Sequence, residues 1–560
     1  MTQASDNTVT FNTVTMQQLI ESSSNSTIKQ SLTSIAQAAD DPDSIKAIPF
    51  YRLCLDSRQV NKGDVFVLLT SQSQNTQASL KYLKQAATQA AFILSEIEPK
   101  TLLADSNVNR ANDINSANNK NAMQHISDLP CPIIYVPNIR DVLGDLAQAT
   151  LQYHQPVDLP SVVAVTGTNG KTTISQLVAQ LAQLASLSSA VMGTAGNGRL
   201  GALVQASHTT GDALAVQQFL HQMGVENTDL LALEASSHGL DQQRLQGVPI
   251  KVAIYTNLSR DHLDYHTDMD EYVAAKAKLF DRRYFPSLTH AIINIDDAHG
   301  ENYAQVMLDT AYASNLTVWT YSLQASAQAS FVATDISPSL EGVKIALRTQ
   351  IADTQTTDIT VVSPLLGRFN VANLLAAIGA VVALGIDVEQ VAKLVPQLQG
   401  ALGRMQRVPS ADSCFIVDYA HTPDALSQVL ASLKTHCRGQ LWAVFGCGGD
   451  RDTGKRPLMA QAGLAGADRV ILTADNPRSE DPKQILQDMQ VGMSTAQYQR
   501  THIEPARRQA IEYAVNHAGV DDIVVIAGKG HETYQEIHGV RHDFDDSIVL
   551  QQALQQAGRL

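Results

Sequence analysis

Cysteine is scarce in the sequence. There are five in 560 residues (Cys54, Cys131, Cys414, Cys437 and Cys447), scattered, odd in number and in no metal-ligand spacing. That excludes a disulfide framework and a structural zinc site, and it fits a reducing cytosol. Cys447, inside a glycine-rich loop, reads as a small loop filler rather than a reactive thiol. Aromatic residues make up 5% of the chain and charged residues 17%, against 44% hydrophobic. Such a chain folds, but it carries too few basic residues for a nucleic-acid or membrane-surface binder. With 40 Lys and Arg against 55 Asp and Glu, the formal charge is −15, and those partners are drawn to basic faces. No apolar run approaches the ~20 residues that span a bilayer, and no basic stretch leads into an apolar one at the start. The expectation is a soluble, cytoplasmic monomer with small-molecule substrates, an anionic one being allowed where positive groups cluster.

The length calls for three or four domains rather than one core. The first forty residues are rich in Ser, Thr, Asn and Gln, with weak helical periodicity near 16–20, and a poorly ordered start is expected. Short apolar runs follow at 65–69, 91–94 and 133–136, interrupted by an Asn-, Ser- and Asp-rich stretch at 105–128 that reads as a loose surface insertion. This part reads as a small α/β domain ending near 154–160. Beyond it, apolar runs of about five residues alternate with amphipathic stretches of ten or more, the pattern of strand–helix units and a parallel sheet. The cycle restarts around 399–407. Seven of the apolar runs (162–165, 230–233, 252–255, 415–417, 441–445, 470–472 and 523–526) each end in an unusual polar cluster. Open α/β sheets bind ligands at the carboxyl ends of their strands, so the repetition predicts two sheets presenting working edges to one cleft.

The loop Gly167, Thr168, Asn169, Gly170, Lys171, Thr172, Thr173 lies between a strand at 162–165 and a helix at 174–184. Free backbone N–H groups and the helix dipole favour an anion there, with Lys171 reaching β/γ-phosphates and the Thr172 hydroxyl ligating Mg²⁺. Val165 stands where the common phosphate loop has its first glycine. Glu234 ends an apolar strand, where a lone carboxylate is costly unless paired or metal-bound. With His262 it suits a Mg²⁺ site, although a histidine taken alone is more often a structural hydrogen-bonder, and Arg260 with Asp261 also reads as a local ion pair. Arg451, Lys455 and Arg456 are either substrate cations or a solvated basic loop. Asp475, Asn476, Pro477 and Arg478 form either a site or an Asn-Pro turn, and spacing does not separate the two.

Taken together and in order, the segments 166–173 (TGTNGKTT), 234–240 (EASSHGL), 256–264 (TNLSRDHLD), 367–373 (GRFNVAN), 403–405 (GRM), 418–423 (DYAHTP) and 446–452 (GCGGDRD) resemble the Mur ligase family of cell-wall synthesis. The resemblance is strong over 161–546 and weaker over 53–64. It implies three α/β domains: a UDP-binding one at 1–157, a central P-loop ATPase-type parallel sheet at 158–400 and a Rossmann-like amino-acid domain at 401–560. Within the family, 475–478 is similar to the run in members that add meso-diaminopimelate to UDP-N-acetylmuramoyl-L-alanyl-D-glutamate through an acyl phosphate. The implied cofactor and co-substrate are Mg²⁺ and ATP.

Carried over by position, Leu55 and Ser57 match uridine contacts, and Thr209, Thr210, Ser236, Gln242 and Arg244 match contacts to the muramoyl dipeptide. Asn373, Arg404, Asp418 and His421 match ATP contacts. Arg451, the 475–478 run, Gly528 and Glu532 match diaminopimelate contacts. Lys276 matches a lysine that the family carbamylates into a Mg²⁺ ligand, so the resemblance implies a catalytic and metal set of Lys171, Thr172, Glu234, His262 and Lys276. Without the resemblance Lys276 reads as a solvated helix lysine. Two departures stand out: 71–76 (SQSQNT) replaces a family segment near the uridine site, and His208 replaces a frequent asparagine. The competing readings are a lysine-adding ligase of the same step, a folylpolyglutamate-type ligase, and a non-catalytic nucleotide-binding regulator.

Overall fold

The computed structural model describes residues 12–70, 76–102, 129–206, 208–263, 265–296, 303–339, 342–351, 356–411 and 413–560. The expected insertion at 105–128 and most of the divergent 71–76 segment lie outside the described residues. No helix among the described residues is long and apolar enough to cross a membrane.

Contacts divide the chain into two compact units. The first comprises Met1–Pro160 with Thr210–Thr228 and Gly239–Pro249. Its centre is a parallel sheet of β1 (Leu53–Cys54), β2 (Val65–Leu68), β3 (Phe92–Ser95) and β4 (Ile133–Tyr135), paired in that order. Strands so short stand only because both faces are covered: Val65, Phe66, Phe92 and Ile93 are all buried, and parallel sheets need that cover. Weak periodicity near residue 16 conceals two helices, Met16–Ser22 and Ser26–Gln37. Their caps explain them. Thr15 and Gln18 form a reciprocal capping box, and Asn25 accepts from Thr27 N and Ile28 N.

The second unit holds both larger sheets. Among the described residues the central one has β5 (Ser161–Thr166), β6 (Ser189–Gly193), β7 (Gly196–Gly198), β8 (Leu230–Glu234), β9 (Ile250–Tyr255), β10 (His290–Asn294), β11 (Thr317–Ser322), β12 (Phe331–Ser339), β13 (Gly342–Thr349) and β14 (Thr357–Ser363). Their order is β14-β13-β12-β11-β10-β9-β5-β8-β6-β7. It is parallel from β12 through to β6 and antiparallel at both edges. Helices α1 (Lys171–Leu184) and α3 (Arg368–Ala383) pack together over it; α2 (Met269–Ala277) lies between them in sequence.

A second sheet contains β15 (Gln406–Val408), β16 (Cys414–Asp418), β17 (Leu441–Phe445), β18 (Arg469–Leu472), β19 (Thr501–Ile503) and β20 (Ile523–Ala527), in the order β15-β16-β20-β17-β18-β19. All pairs are parallel except β15 with β16. The hairpin β21 (Tyr534–Ile537) and β22 (Val540–Asp543) follows. All seven polar clusters lie just past the carboxyl ends of parallel strands: β5, β8 and β9 in one sheet, β16, β17, β18 and β20 in the other.

One buried ion pair ties the ends of β18 and β20. Arg507, opening helix α4 (Arg507–His517), is paired bidentately with Asp546, which opens α5 (Asp546–Gln556), at 2.8 and 2.7 Å, both side chains fully buried. The same guanidinium donates to Ala474 O and Ala527 O, the last carbonyls before the 475–478 and 528–532 clusters. Arg507→Met is expected to cost about 3–5 kcal/mol, because it strands a buried carboxylate. Denaturant unfolding of the full chain measures this, and a loss under about 1 kcal/mol would show the pair to be dispensable.

Candidate active site

The phosphate-type loop follows from local rules. Gly170 begins α1 without a side-chain cap, leaving first-turn N–H groups for an anion. The loop lies against the 256–259 segment: Thr168 N donates to Asn257 O at 2.8 Å, Asn169 N to Asn257 Oδ1 at 3.1 Å, and Thr256 Oγ1 to Asn169 O at 2.6 Å. Gly167 has φ 144°, and a Cβ there would meet Thr256 Oγ1 at 1.9 Å, so no other residue fits. Lys171 Nζ donates to Gly167 O and Thr168 O, both at 2.9 Å. Burial lowers its pKa, while Glu234 and Asp261 pull it back up. Thr173 is buried in the first turn, and Asn373, on α3, abuts Gly170.

Helix α2 is capped by Asp268, which accepts from Glu271 N. Tyr272 and Lys276, four residues apart, share its buried face. Tyr272 Oη meets Thr168 Oγ1 at 3.1 Å. Lys276 Nζ donates to Gly167 O at 2.8 Å and lies 4.5 Å from the Tyr272 ring centroid. Burial, then the charge of Lys171, puts its pKa well below the ordinary lysine range, against Asp261. Lys276 is therefore not the solvated lysine that its local sequence suggests.

Glu234, at the end of β8, is buried and accepts from Thr194 N at 2.9 Å and Thr194 Oγ1 at 3.1 Å. Gly193 makes room for it, since a Cβ there would lie 2.1 Å from Glu234 Oε1. Thr194 Oγ1 also meets Thr209 Oγ1 at 3.1 Å. Thr194 escaped sequence reading. Its signal was the same as the others, a polar residue after an apolar run, but the run at 189–193 was not read as a strand. His262 has φ 56° and lies 3.7 Å from the Asp261 carboxylate. Burial pushes the Asp261 carboxyl up, but His262, Lys455 and His421 hold it down at about 2.

Oxygen donors with one imidazole suit Mg²⁺. Among the described residues no three His, Cys, Asp or Glu side chains converge on a ready-made metal site.

The second sheet reaches the same loop. Arg404 Nη2 donates to Thr172 Oγ1 at 3.3 Å, and its guanidinium lies 4.2 Å above the Tyr419 ring. Asp418 accepts from Met405 N and Ala420 N at 2.6 and 2.7 Å. Burial raises its pKa, opposed by Arg404 and those two N–H groups. His421 and His531 are pushed down to about 4, first by burial and then by Lys455 and Arg404 respectively, so both are neutral at pH 7. His531 Nε2 contacts Thr194 O at 3.3 Å.

Around 475–478 the hairpin supplies partners that sequence reading did not find. Gln535 Nε2 donates to Asp475 O, Glu536 N to Asn476 Oδ1, and Arg478 N to Glu536 O. Arg478 has φ 52°, is half-buried, and donates through Nη1 to Gly449 O at 2.6 Å. Asn476 Nδ2 donates to Glu532 Oε2 at 2.8 Å. Gly528 follows β20 beside Asp475, and Arg451 lies exposed on the loop after β17. Burial pushes the Cys447 thiol in that loop up to about 12, as expected for a filler.

The residues expected to contact the UDP substrate are described unit by unit. In the first, Ser57 Oγ donates to Gln85 Oε1, Leu55 is half-buried, and Arg244 joins Gln242 Oε1 to Thr210 O. Thr209 and Ser236 belong to the second.

Two family models match most of the chain. Residues 165–381 match the Mur ligase middle domain, and residues 403–530 the Mur ligase glutamate ligase domain. The UDP-N-acetylmuramoyl-L-alanyl-D-glutamate–2,6-diaminopimelate ligase of Pseudomonas aeruginosa is 40% identical over 92% of this chain and 96% of its own. The enzyme of that name from Vibrio cholerae is 38% identical over 91% and 95%. A solved structure of a UDP-N-acetylmuramoyl-L-alanyl-D-glutamate–2,6-diaminopimelate ligase covers 98% of this chain and 100% of its own, at 41% identity and a TM-score of 0.66. On motifs, fold and relatives alike, this chain belongs to the Mur ligase family.

Proposed function

We propose that this ligase joins meso-diaminopimelate to the D-glutamyl γ-carboxylate of UDP-N-acetylmuramoyl-L-alanyl-D-glutamate, using ATP, in the cytoplasm and as a monomer. The observation that carries the reading is the convergence of Asn476, Arg478 and Glu532 at one sheet edge, in a chain whose relatives bear that ligase name. Three parts share the work: 1–157 holds the uridine nucleotide, 158–400 the ATP, and 401–560 the incoming amino acid.

The carboxylate attacks the γ-phosphate and releases ADP, giving an acyl phosphate. The neutral amine of diaminopimelate then attacks the acyl carbon, and phosphate leaves. Two anions at 4 Å repel by roughly 4 kcal/mol at an effective dielectric near 20, so the first step needs positive charge at the encounter. Lys171 and Arg404 supply it from the chain, and the loop N–H groups orient the phosphates. Thr172, Glu234, His262 and carbamylated Lys276 would hold Mg²⁺, whose charge further offsets that repulsion. Arg478 and Asn476 take the distal carboxylate of diaminopimelate, and Glu532 its ammonium.

The test is phosphate release with a panel of diaminopimelate, lysine and ornithine. Release is expected only when ATP, the UDP-dipeptide and diaminopimelate are all present, with lysine poorer by about 10⁴-fold in kcat/KM. Equal use of lysine would make this a lysine-adding ligase. ATP binding without turnover would make it a regulator.

A further inference from the structure

One cation at the amino-acid site has no role in the chemistry above. Lys529 lies between Gly528 and Glu532, the expected contacts, and its side chain is fully buried. Its ammonium donates to Asn476 Oδ1 at 3.2 Å and to Glu532 Oε2 at 3.0 Å. It lies 3.8 Å from Asp475 Oδ1 and 5.5 Å from the centroid of the Tyr534 ring. Burying an ammonium is costly unless it is paired and hydrogen-bonded, so a lysine kept here needs a reason beyond filling space.

The Asn476 amide supplies one. Its two ends are nearly identical in shape, and a flip exchanges an acceptor for a double donor. Only its partners decide which end faces a ligand. An ammonium and a backbone N–H are donors without acceptor capacity, and both meet Asn476 at Oδ1: Lys529 Nζ at 3.2 Å and Glu536 N at 2.9 Å. With the oxygen so held, Nδ2 faces Glu532 Oε2 at 2.8 Å and keeps a second N–H. Lys529 also engages the same Glu532 oxygen, Oε2, which leaves Oε1 to meet a substrate ammonium.

We propose that Lys529 is a positioning residue for amino-acid selectivity, locking the Asn476 amide with its nitrogen toward the ligand and dividing the Glu532 carboxylate between itself and the substrate. The ligand class this selects has a distal 2-amino-carboxylate head: a carboxylate for Asn476 Nδ2 and Arg478, and an ammonium for Glu532 Oε1. The inference rests on reading 475–478 and Glu532 as the amino-acid site.

Lys529→Met keeps the length and loses the donor. It is expected to raise the KM for meso-diaminopimelate about 30-fold, with the KM for ATP within about twofold. The ratio of kcat/KM for diaminopimelate over lysine should fall at least about tenfold, since Glu536 N alone then holds the Asn476 oxygen and Glu532 loses the cation that shares its carboxylate. In an Asn476→Ala background the same change should add less than about threefold, because the group it holds is gone. An equal effect in both backgrounds, or an unchanged diaminopimelate-to-lysine ratio, would mean simple packing and overturn the inference. Should the methionine variant not fold, Lys529→Gln drops the charge and offers Asn476 an acceptor as readily as an N–H, so the ratio should fall at least about threefold. An unchanged ratio there also overturns it. Arg478→Ala separates the two levels. Normal diaminopimelate use by that variant removes the site reading itself. A raised KM there, with Lys529→Met normal, leaves the site standing and removes only the role of Lys529.

Discussion

Lys276→Ala is expected to lower the ligation kcat about 10³-fold without unfolding the chain, and millimolar formate or acetate is expected to restore part of the loss. The reasoning starts from burial. Lys276 is 1% exposed, bonded to Gly167 O, and held well below the ordinary lysine pKa by desolvation and by the nearby charge of Lys171. A lysine of ordinary pKa, about 10.4, is almost wholly protonated at pH 7 and inert to CO₂. A lowered pKa leaves a free amine, which adds to CO₂ to give a carbamate and release one proton. That places an anion beside the Lys171 ammonium where a neutral amine stood, a favourable pairing, and it would give the proposed Mg²⁺ an oxygen ligand in addition to Thr172 and Glu234. A small carboxylic acid diffusing into the space left by the truncated side chain replaces those oxygens, whereas Lys171→Ala offers it no such place. Steady-state ligation with and without added acid checks both variants. If acids fail to rescue Lys276→Ala, the side chain acts as an amine or by packing, and the carbamate proposal is lost.

Arg478→Ala is the second large effect. The apparent KM for diaminopimelate is expected to rise about 10³-fold, with the KM for ATP within about twofold, because a buried carboxylate loses its charge-assisted partner. The backbone argues for this residue as strongly as the guanidinium does. A non-glycine residue at φ 52° sits in a sparsely populated region and costs of order 1 kcal/mol, and the hairpin holds it there through Arg478 N to Glu536 O and His538 N to Arg478 O. Arg478→Lys should recover little, since an ammonium cannot reproduce a planar fork. Initial rates over a diaminopimelate series decide it, and normal saturation by the alanine variant would move the selector elsewhere.

Where a residue's place in the fold follows from its neighbours in the chain, it was legible. The 167–173 loop, Glu234 at the end of β8, Asp418 at the end of β16 and the 475–478 run after β18 all sit where a strand stops and its last polar groups face a sheet edge. Periodicity shows that position directly. The antiparallel strands Gly342–Thr349 and Thr357–Ser363 and the hairpin at 534–543 were not legible, because strands that pair with each other rather than with a following helix carry no strand–helix rhythm. Lys529 and Arg507 were missed for a different reason: their partners Asn476 and Asp546 lie 53 and 39 residues away.

The sequence by itself determined that an apolar strand would run through a glycine turn into a helix N-terminus, and that polar clusters would gather at the carboxyl edges of two sheets. Both follow from hydrogen-bonding rules that act over a few residues. Only the tertiary structure decided that Lys276 is buried against Gly167 and Tyr272, that Arg404 from the second sheet reaches Thr172, and that Lys529 sets the direction of the Asn476 amide. Those contacts depend on desolvation and on donors brought together by folding. A lysine's charge state and an amide's orientation are properties of what surrounds them, and no run of neighbouring letters encodes that.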